Sequence, residues 1–324
     1  MPSRLIPRTI VTAGTFALSV VALQVAFSPV DGSTEGTTVP PARPAAPGWT
    51  PPAWYPAVPD VLALSAMDGP EVARGRSLER VVRSPSAFVY DLDAGEILLA
   101  RRADDRRPVA SLTKLTSALT LASTEPDLES QVCVGIEFRP TRSGARSRFH
   151  TGDCVSGFDA LGAALVASDN RGAYALSGVA GLGVDDFVVH MNEVSEELGM
   201  TLSSWSDPSG LEDDNLSTAR DVGRAALAVA AHPVLSTVAT APFWDVHFAN
   251  RTRRLFTTDR LSAREDLEIE AAKTGYTDTA GYCYATVLRP RGGPRLVVAL
   301  LGDRGRRTRF ADVSRIVAWA REHG

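Results

Sequence analysis

Lysine is nearly absent from this chain of 324 residues. Lysine and arginine together number 34, and only Lys114 and Lys273 are lysines. A coding bias toward arginine accounts for most of this imbalance. Arginine stays protonated under ordinary conditions, whereas a buried lysine can lose its proton and act as a base. The two positions that keep lysine are therefore candidates for acid–base chemistry.

The chain also lacks an excess of positive charge. Its formal net charge is −4, so no basic field would attract a polyanion, and we expect no nucleic-acid partner. The hydrophobic fraction of 44% and the charged fraction of 22% are ordinary for a globular protein. The composition therefore favours a folded domain over a disordered or fibrous chain.

Cysteine is scarce as well, with three residues in the chain. Cys133 and Cys154 flank a segment rich in glycine and arginine, and in an oxidising compartment they could pair. Two separate buried thiols are the alternative. Cys283 is left over and is expected to be buried on a strand.

The N-terminal part of the chain has the pattern of an export signal. Arg4 and Arg8 precede an apolar stretch over about residues 10–27, which is slightly long for a signal and short for a membrane span. We predict that residues 1–30 are a cleaved signal peptide or a membrane anchor; a buried core helix is the less favoured alternative. Residues 31–80, rich in Pro, Gly, Ser and Thr, are predicted to be a linker. The remainder is expected to be exported, periplasmic or in the cell envelope, with membrane contact only through the N-terminal segment.

Residues 81–324 are predicted to fold as one α+β domain. Strand patterns occur at both ends, and helical patterns fill the middle, which predicts an antiparallel sheet flanked by helices with a helical subdomain at about 110–250. The predicted strands are 87–92, 96–100, 268–273, 282–288 and 296–301. The predicted helices are 110–123, 158–167, 184–198, 217–230 and 308–322.

A tetrapeptide S-L-T-K runs from Ser111 to Lys114 at the start of a predicted helix. Positions i and i+3 lie on one face of a helix, so the hydroxyl and the amine are expected to be hydrogen-bond neighbours. A serine needs an adjacent base to become a nucleophile, and a desolvated lysine can be that base. The motif alone is common, and an ordinary surface helix start is the alternative.

Two further tripeptides lie downstream. Ser168 and Asn170 belong to S-D-N, where a second hydroxyl could relay a proton and an amide could hold the substrate backbone; a helix cap is the alternative. Lys273, Thr274 and Gly275 form K-T-G on a predicted strand. The lysine and the hydroxyl could bind a carboxylate, and the glycine would let an extended peptide approach. A strand that simply ends in a turn is the alternative.

Together, S-x-x-K, S-D-N and K-T-G in this order are the signature of class A β-lactamases and penicillin-binding proteins. From about residue 84 to its end, the chain resembles the low-molecular-weight penicillin-binding proteins, which are D-alanyl-D-alanine carboxypeptidases and endopeptidases of the β-lactamase-like superfamily. The stretches that carry the resemblance beyond the motifs are 107–110, 167–173, 198–200, 207–211, 215–221, 273–277 and 280–283.

The resemblance implies a β-lactamase/DD-peptidase-like fold and a role for each motif residue. Ser111 would be acylated by the D-Ala carbonyl with Lys114 as base and Ser168 as proton relay. Asn170, Lys273, Thr274 and Gly275 would contact substrate. The backbone N–H groups of Ser111 and Tyr276 would form the oxyanion hole. Peptidoglycan peptides would be substrates and β-lactam antibiotics inhibitors, with no metal or cofactor, since the five histidines show no ligand spacing.

Two departures separate this chain from the family pattern. Many relatives carry a small residue where this chain has Asp169, which gives the second motif a class A β-lactamase look. No E-x-x-L-N stretch for a deacylating glutamate occurs between residues 171 and 215, however, which argues against efficient β-lactamase activity. The residues after Lys273 suffice for two strands and a helix, so the C-terminal β domain of many carboxypeptidases is not expected. The missing domain and the S-D-N-R context of the second motif favour the endopeptidase branch. A β-lactamase, a non-catalytic β-lactam or muropeptide sensor, and another Ser–Lys esterase or amidase are the alternatives.

Overall fold

The structure, a computed structural model, describes residues 67–69, 71, 76–138 and 147–323. The predicted signal or anchor over residues 1–30, and most of the predicted linker, lie outside the described residues. Among those described, no single helix is long and apolar enough to cross a membrane.

The strands follow one another in chain order as β1 (Ser86–Asp91), β2 (Glu96–Arg101), β3 (Arg107–Pro108), β4 (Gln131–Cys133), β5 (Cys154–Ser156), β6 (Leu216–Ser217), β7 (Phe243–Phe248), β8 (Arg251–Phe256), β9 (Leu267–Thr277), β10 (Gly281–Pro290) and β11 (Leu296–Asp303). The helices are α1 (Arg76–Val81), α2 (Thr113–Ser123), α3 (Gly157–Leu165), α4 (Asn170–Val179), α5 (Val184–Glu197), α6 (Ala219–Ala231), α7 (Pro233–Thr240) and α8 (Thr308–His323). The predicted strands and helices are all present, within a few residues of their expected bounds.

Five strands form the central sheet in the order β2-β1-β11-β10-β9, and each neighbouring pair is antiparallel. β9 is an edge strand of this sheet. Successive side chains of each strand point to opposite faces of the sheet, so a separate hydrophobic core lies on each face. One face packs against α6 and α7, and the other packs against α1 and α8. The α+β fold expected from the sequence is therefore confirmed.

Helix α2 lies in the centre of the helical part. Every residue from Thr113 to Ala122 is buried, including the polar side chains. A helix that is covered on all sides is a core helix. Because the S-L-T-K motif begins this helix, the alternative of a surface helix start is excluded.

Several elements of the helical part were not predicted from the sequence, among them α4, α7 and the β7–β8 hairpin. Helix α4 contains Gly172 and Gly178, and glycine lowers helix propensity. Gly172 is needed for close packing, since a Cβ there would lie 3.1 Å from the Cβ of Ala163 and 3.2 Å from the carbonyl oxygen of Ala160. The β7–β8 hairpin was missed because its second strand is rich in arginine and lacks a regular apolar alternation.

The folded part also begins earlier than expected. Met67 is fully buried and α1, whose Leu78 is buried too, packs on the sheet, although these residues lie inside the predicted linker of residues 31–80. The single buried apolar residues in this segment are too few to give a periodic signal. The end of the linker was therefore placed too late, and the rest of the domain division stays a prediction.

Of the two alternatives for the cysteines, the structure shows the disulfide between Cys133 and Cys154. The two residues lie opposite each other in the register of β4 and β5. Cys283 is a free thiol, buried in β10, as expected. Burial raises the pKa of this thiol to about 11, so it is not a reactive thiolate.

Candidate active site

The predicted nucleophile lies on a strained turn. Ala110 has a φ of +51°, which is uncommon for a residue with a side chain. Ala110 begins a single 3-10 turn, Ala110–Leu112, which leads directly into α2. The hydroxyl of Thr113 donates to the carbonyl of Ala110 at 2.8 Å and so holds the turn. Ser111 is thereby presented, partly exposed, at the start of a buried helix.

Lys114 is fully buried and makes three hydrogen bonds. Its Nζ lies 2.9 Å from Ser111 Oγ, 2.9 Å from Asn170 Oδ1 and 2.6 Å from the carbonyl oxygen of Ser209. Burial lowers the pKa of Lys114 to about 8, although the negative charges of Asp207 and Asp169 oppose the shift. The expected contact between the serine and the lysine one helical turn away is confirmed.

The second motif connects α3 to α4. Ser168 adopts a φ of +58°, and Asp169 caps α4, whose first residue is Asn170. The Asp169 side chain accepts from the backbone N–H of Gly172 at 3.1 Å. The helix-cap interpretation is therefore correct for Asp169, while its two neighbours are free to face the lysines.

The third motif lies on the edge strand β9. Lys273 is buried, and its Nζ donates to Ser168 Oγ at 2.9 Å and to the carbonyl of Thr274 at 3.1 Å. Burial, together with the positive charges of Lys114 and Arg309, holds the pKa of Lys273 well below its ordinary value. The two lysines of the chain thus meet the two serines of the site, Lys114 at Ser111 and Lys273 at Ser168.

Gly275 brings β9 against the nucleophile turn. A Cβ at this position would lie 2.8 Å from the carbonyl oxygen of Val109 and 3.3 Å from the backbone nitrogen of Ser111. The backbone of β9 at Gly275 and Tyr276 therefore passes directly beside the Ser111 amide. The side chain of Tyr276 is 48% exposed and stacks on Tyr282 with ring centroids 4.2 Å apart.

Two of the contacts to the motif residues come from loops outside the motifs. A buried loop is closed by Asp207, whose carboxylate accepts from the backbone N–H groups of Ser209 and Gly210 at 2.6 and 3.0 Å, and this loop supplies the Ser209 carbonyl to Lys114. The hydroxyl of Thr258 lies 2.6 Å from that of Thr274. The D-P-S-G-L stretch signalled the loop in the sequence, whereas nothing in the sequence signalled Thr258.

Arg309 reaches β9 from the C-terminal helix α8. Its guanidinium donates to the carbonyls of Gly275 at 2.8 Å and Cys283 at 2.7 Å. The side chain is 5% exposed, so a charged donor fixes the strand just before Tyr276 from inside the protein. A single arginine among 32 carries no signal that would have identified it from the sequence.

The assembled site has the parts needed for acyl transfer. A serine hydroxyl lies beside a buried amine with a lowered pKa, which is an activated nucleophile. A second hydroxyl lies beside a second amine. All of the residues predicted from the three motifs therefore lie in one site.

Comparison with known proteins identifies a family of peptidases that matches this chain. A model of the D-alanyl-D-alanine carboxypeptidase family matches residues 74–305. The D-alanyl-D-alanine endopeptidase of Pseudomonas aeruginosa is 33% identical over 79% of this chain and 83% of its own length. The D-alanyl-D-alanine endopeptidase of Escherichia coli K12 is 31% identical over 81% of this chain and 82% of its own length.

The fold is shared with a solved structure. The crystal structure of a D-alanyl-D-alanine carboxypeptidase from Mycobacterium tuberculosis matches with a TM-score of 0.66 at 28% sequence identity, covering 74% of this chain and 90% of that one. The family match spans most of the chain and includes all three motifs. This chain therefore belongs to the D-alanyl-D-alanine carboxypeptidase family of serine peptidases.

Proposed function

We propose that this protein is an exported endopeptidase that hydrolyses D-Ala-containing cross-links of peptidoglycan through an acyl-enzyme at Ser111. The observation that carries the proposal is the contact of 2.9 Å between Ser111 Oγ and the buried amine of Lys114, whose pKa is about 8. Because this pKa lies much nearer to neutrality than the ordinary value of lysine, part of the protein carries the free amine, which can accept the serine proton.

In the acylation step, Ser111 Oγ attacks the D-Ala carbonyl carbon while its proton passes to Lys114 Nζ. The C–O bond forms, and the negative charge develops on the former carbonyl oxygen. The backbone N–H groups of Ser111 and Tyr276 are proposed to receive this oxyanion, which is supported by the close approach of β9 to the Ser111 amide.

The tetrahedral intermediate then collapses with cleavage of the C–N bond. Ser168 is proposed to hand its proton to the leaving amine and to take up the proton that Lys114 received from Ser111, so that Lys114 is a free amine again. The Ser168 hydroxyl is held for this step by Lys273, which donates to it. Water subsequently hydrolyses the Ser111 ester, with Lys114 now accepting the proton from water. The overall reaction consumes one water molecule and regenerates the serine.

Lys273 and Thr274 are proposed to bind the carboxylate of the leaving residue. The pKa of Lys273 is lowered by burial and by neighbouring positive charge. A substrate carboxylate would supply the missing negative charge and raise that pKa again, so that binding and protonation support one another. Asn170 is proposed to hold the substrate backbone, since its amide already lies at the Lys114 amine.

Endopeptidase action is favoured over carboxypeptidase action by the two relatives named D-alanyl-D-alanine endopeptidase, which match over four-fifths of their own length. The S-D-N-R context of the second motif points the same way. The proposed substrate class is the D-Ala–diamino acid cross-link between two stem peptides.

The proposal is tested by incubating the purified full chain with two substrates, a cross-linked muropeptide dimer and a pentapeptide that ends in D-Ala-D-Ala. Conversion of dimer to monomer at a higher kcat/KM than release of D-Ala supports the endopeptidase. Release of D-Ala alone would make the protein a carboxypeptidase. The Ser111→Ala variant is the control and should cleave neither substrate.

β-Lactams are proposed to acylate Ser111 as substrate mimics. A labelled penicillin should attach to the wild type and not to Ser111→Ala. Rapid turnover of nitrocefin, instead of a long-lived adduct, would favour the β-lactamase alternative. Absence of both labelling and cleavage would contradict the proposed function as a whole.

Export is proposed from two observations. The N-terminal apolar stretch follows two arginines, and Cys133 and Cys154 form a disulfide. Disulfides persist in oxidising compartments and are rare in the cytosol. Attachment through an uncleaved N-terminal segment and release after signal cleavage both fit the sequence.

A further inference from the structure

Asp169 has two carboxylate oxygens that are held from two directions. Oδ1 accepts from the N–H of Gly172 in its own helix and from the hydroxyl of Ser147 at 2.6 Å. Oδ2 accepts from the backbone N–H of Arg148 at 2.6 Å. The side chain is 1% exposed, so these are buried, charge-assisted hydrogen bonds.

The segment that carries Ser147 and Arg148 ends at the disulfide. Cys154 follows Arg148 by six residues and is bonded to Cys133 of β4. The ladder continues past the disulfide, since the N–H of Val134 donates to the carbonyl of Asp153 at 2.7 Å. The disulfide therefore closes the loop whose backbone holds Asp169.

The residues on either side of Asp169 contact the two buried lysines. Ser168 Oγ accepts from Lys273, and Asn170 Oδ1 accepts from Lys114. Ser168 is in the left-handed conformation, with a φ of +58°. Such a conformation costs free energy and persists only where the surrounding structure fixes it.

We propose that Asp169 is a positioning residue through which the disulfide-closed loop fixes Ser168 and Asn170 against the two lysines. The inference rests on the proposed function, in which those two side chains act on the substrate. It gives a physical reason for the aspartate where many relatives have a small residue. The Asp169 carboxylate connects the loop to the second motif through its hydrogen bonds to Ser147 and Arg148.

The first test replaces Asp169 with Asn. An asparagine retains one acceptor oxygen and can still cap α4, so the helix is preserved. Its NH2 group would face the N–H of Arg148, and two donors cannot bond. We expect the rate of Ser111 acylation by a labelled penicillin to fall about 100-fold, as a displacement near 1 Å in a catalytic site can cost that much.

The matched control is Asp153→Asn in the same loop. Asp153 also accepts from a backbone N–H and a side chain, those of His150 at 2.8 Å and Arg251 at 2.7 Å. Among the residues that the structure describes, Asp153 makes no hydrogen bond to the second motif. This variant should be acylated at the wild-type rate, which would show that loss of a carboxylate charge in this loop is not by itself enough to slow acylation.

The second test asks whether the disulfide acts through Asp169. The double replacement Cys133→Ser and Cys154→Ser should lower the acylation rate in the wild-type background. In the Asp169→Asn background it should change the rate little, because the connection is already broken and the effects are not additive. Equal losses in both backgrounds would overturn the proposal, as would a wild-type rate for Asp169→Asn.

A readout that needs no activity separates this proposal from the proposed function. Hydrogen exchange of residues 147–150 is measured in the Ser111→Ala protein with and without Asp169→Asn. Faster exchange at these amides, with unchanged exchange in α2, supports the positioning role. Unchanged exchange at residues 147–150 contradicts it, whatever the enzyme assays show.

Discussion

At the scale of single residues, the unusual feature is a buried lysine, Lys114, that bonds to no carboxylate among the described residues. Lys114 is bound to a hydroxyl, an amide oxygen and a backbone carbonyl, which are all uncharged acceptors. Desolvation therefore outweighs the more distant aspartates and lowers its pKa to about 8. The site thus keeps a base that arginine could not supply.

The pH dependence of acylation follows from the pKa of Lys114. Below about pH 8, Lys114 is mostly protonated and cannot take the Ser111 proton; above it the free amine predominates. We expect the rate constant for labelling by penicillin to rise with pH and to level off with an apparent pKa near 8. A rate that falls or stays constant between pH 7 and 9 would contradict the assignment, provided that thermal unfolding shows a folded protein throughout.

Ser168 combines a hydroxyl that we propose to be catalytic with a strained backbone, and two substitutions separate these features. Both Ser168→Ala and Ser168→Gly remove the hydroxyl, so both should lose most activity on the peptide substrate. Only glycine adopts a φ of +58° without a Cβ clash, so Ser168→Gly should be about 1 kcal/mol more stable than Ser168→Ala. Urea unfolding of the two variants measures the difference, and equal midpoints would exclude stored strain.

At the scale of elements, the site is a junction between the edge strand β9 and the turn before α2. Their contact depends on the absence of a side chain at Gly275, where a Cβ would lie 2.8 Å from a backbone oxygen. Helix α8 supports the same point of the strand from the other side through Arg309. The catalytic geometry is therefore a property of how elements pack, not of any one of them.

Replacing Gly275 with Ala tests this junction. The methyl group would push β9 away from Val109 and Ser111, and we expect a loss of about 100-fold in acylation rate. Gly183→Ala is the matched control, because a Cβ there meets no atom closer than 3.6 Å. If Gly275→Ala were acylated at the rate of the control, the close contact of β9 with Val109 and Ser111 would not be required for acylation.

At the scale of the whole molecule, the folded part follows an N-terminal segment with the pattern of an export signal. A fusion of residues 1–66 to a reporter that is active only outside the cytoplasm should be active in bacteria. Replacing Arg4 and Arg8 with Glu should reduce that activity, because the basic n-region directs the segment. Full activity of the charge-reversed fusion would count against the signal interpretation.

Much of the fold was readable because its signals are local. Alternation of apolar residues predicted the strands of the central sheet, and the leucine spacing after Ser111 predicted α2. The glycine-containing α4 and the arginine-rich β8 were not predicted, because tertiary packing overrides weak local propensity there. The burial of Met67 and Leu78 was not predicted, because isolated apolar residues give no periodic pattern in the sequence.

The sequence by itself determined the chemistry: two lysines in a chain of arginines, each within a motif that includes a hydroxyl. It also determined which residue types the site contains, since these are fixed by covalent order. The helical spacing of S-L-T-K also predicted the contact of Lys114 with Ser111. Only the tertiary structure decided the pairing of Lys273 with Ser168, the lowered pKa values, and the supporting contacts of Ser209, Thr258 and Arg309. Burial and contacts between separate segments of the chain produce these features, such as the contact of Lys273 with Ser168, 105 residues away, and no local pattern in a sequence records them.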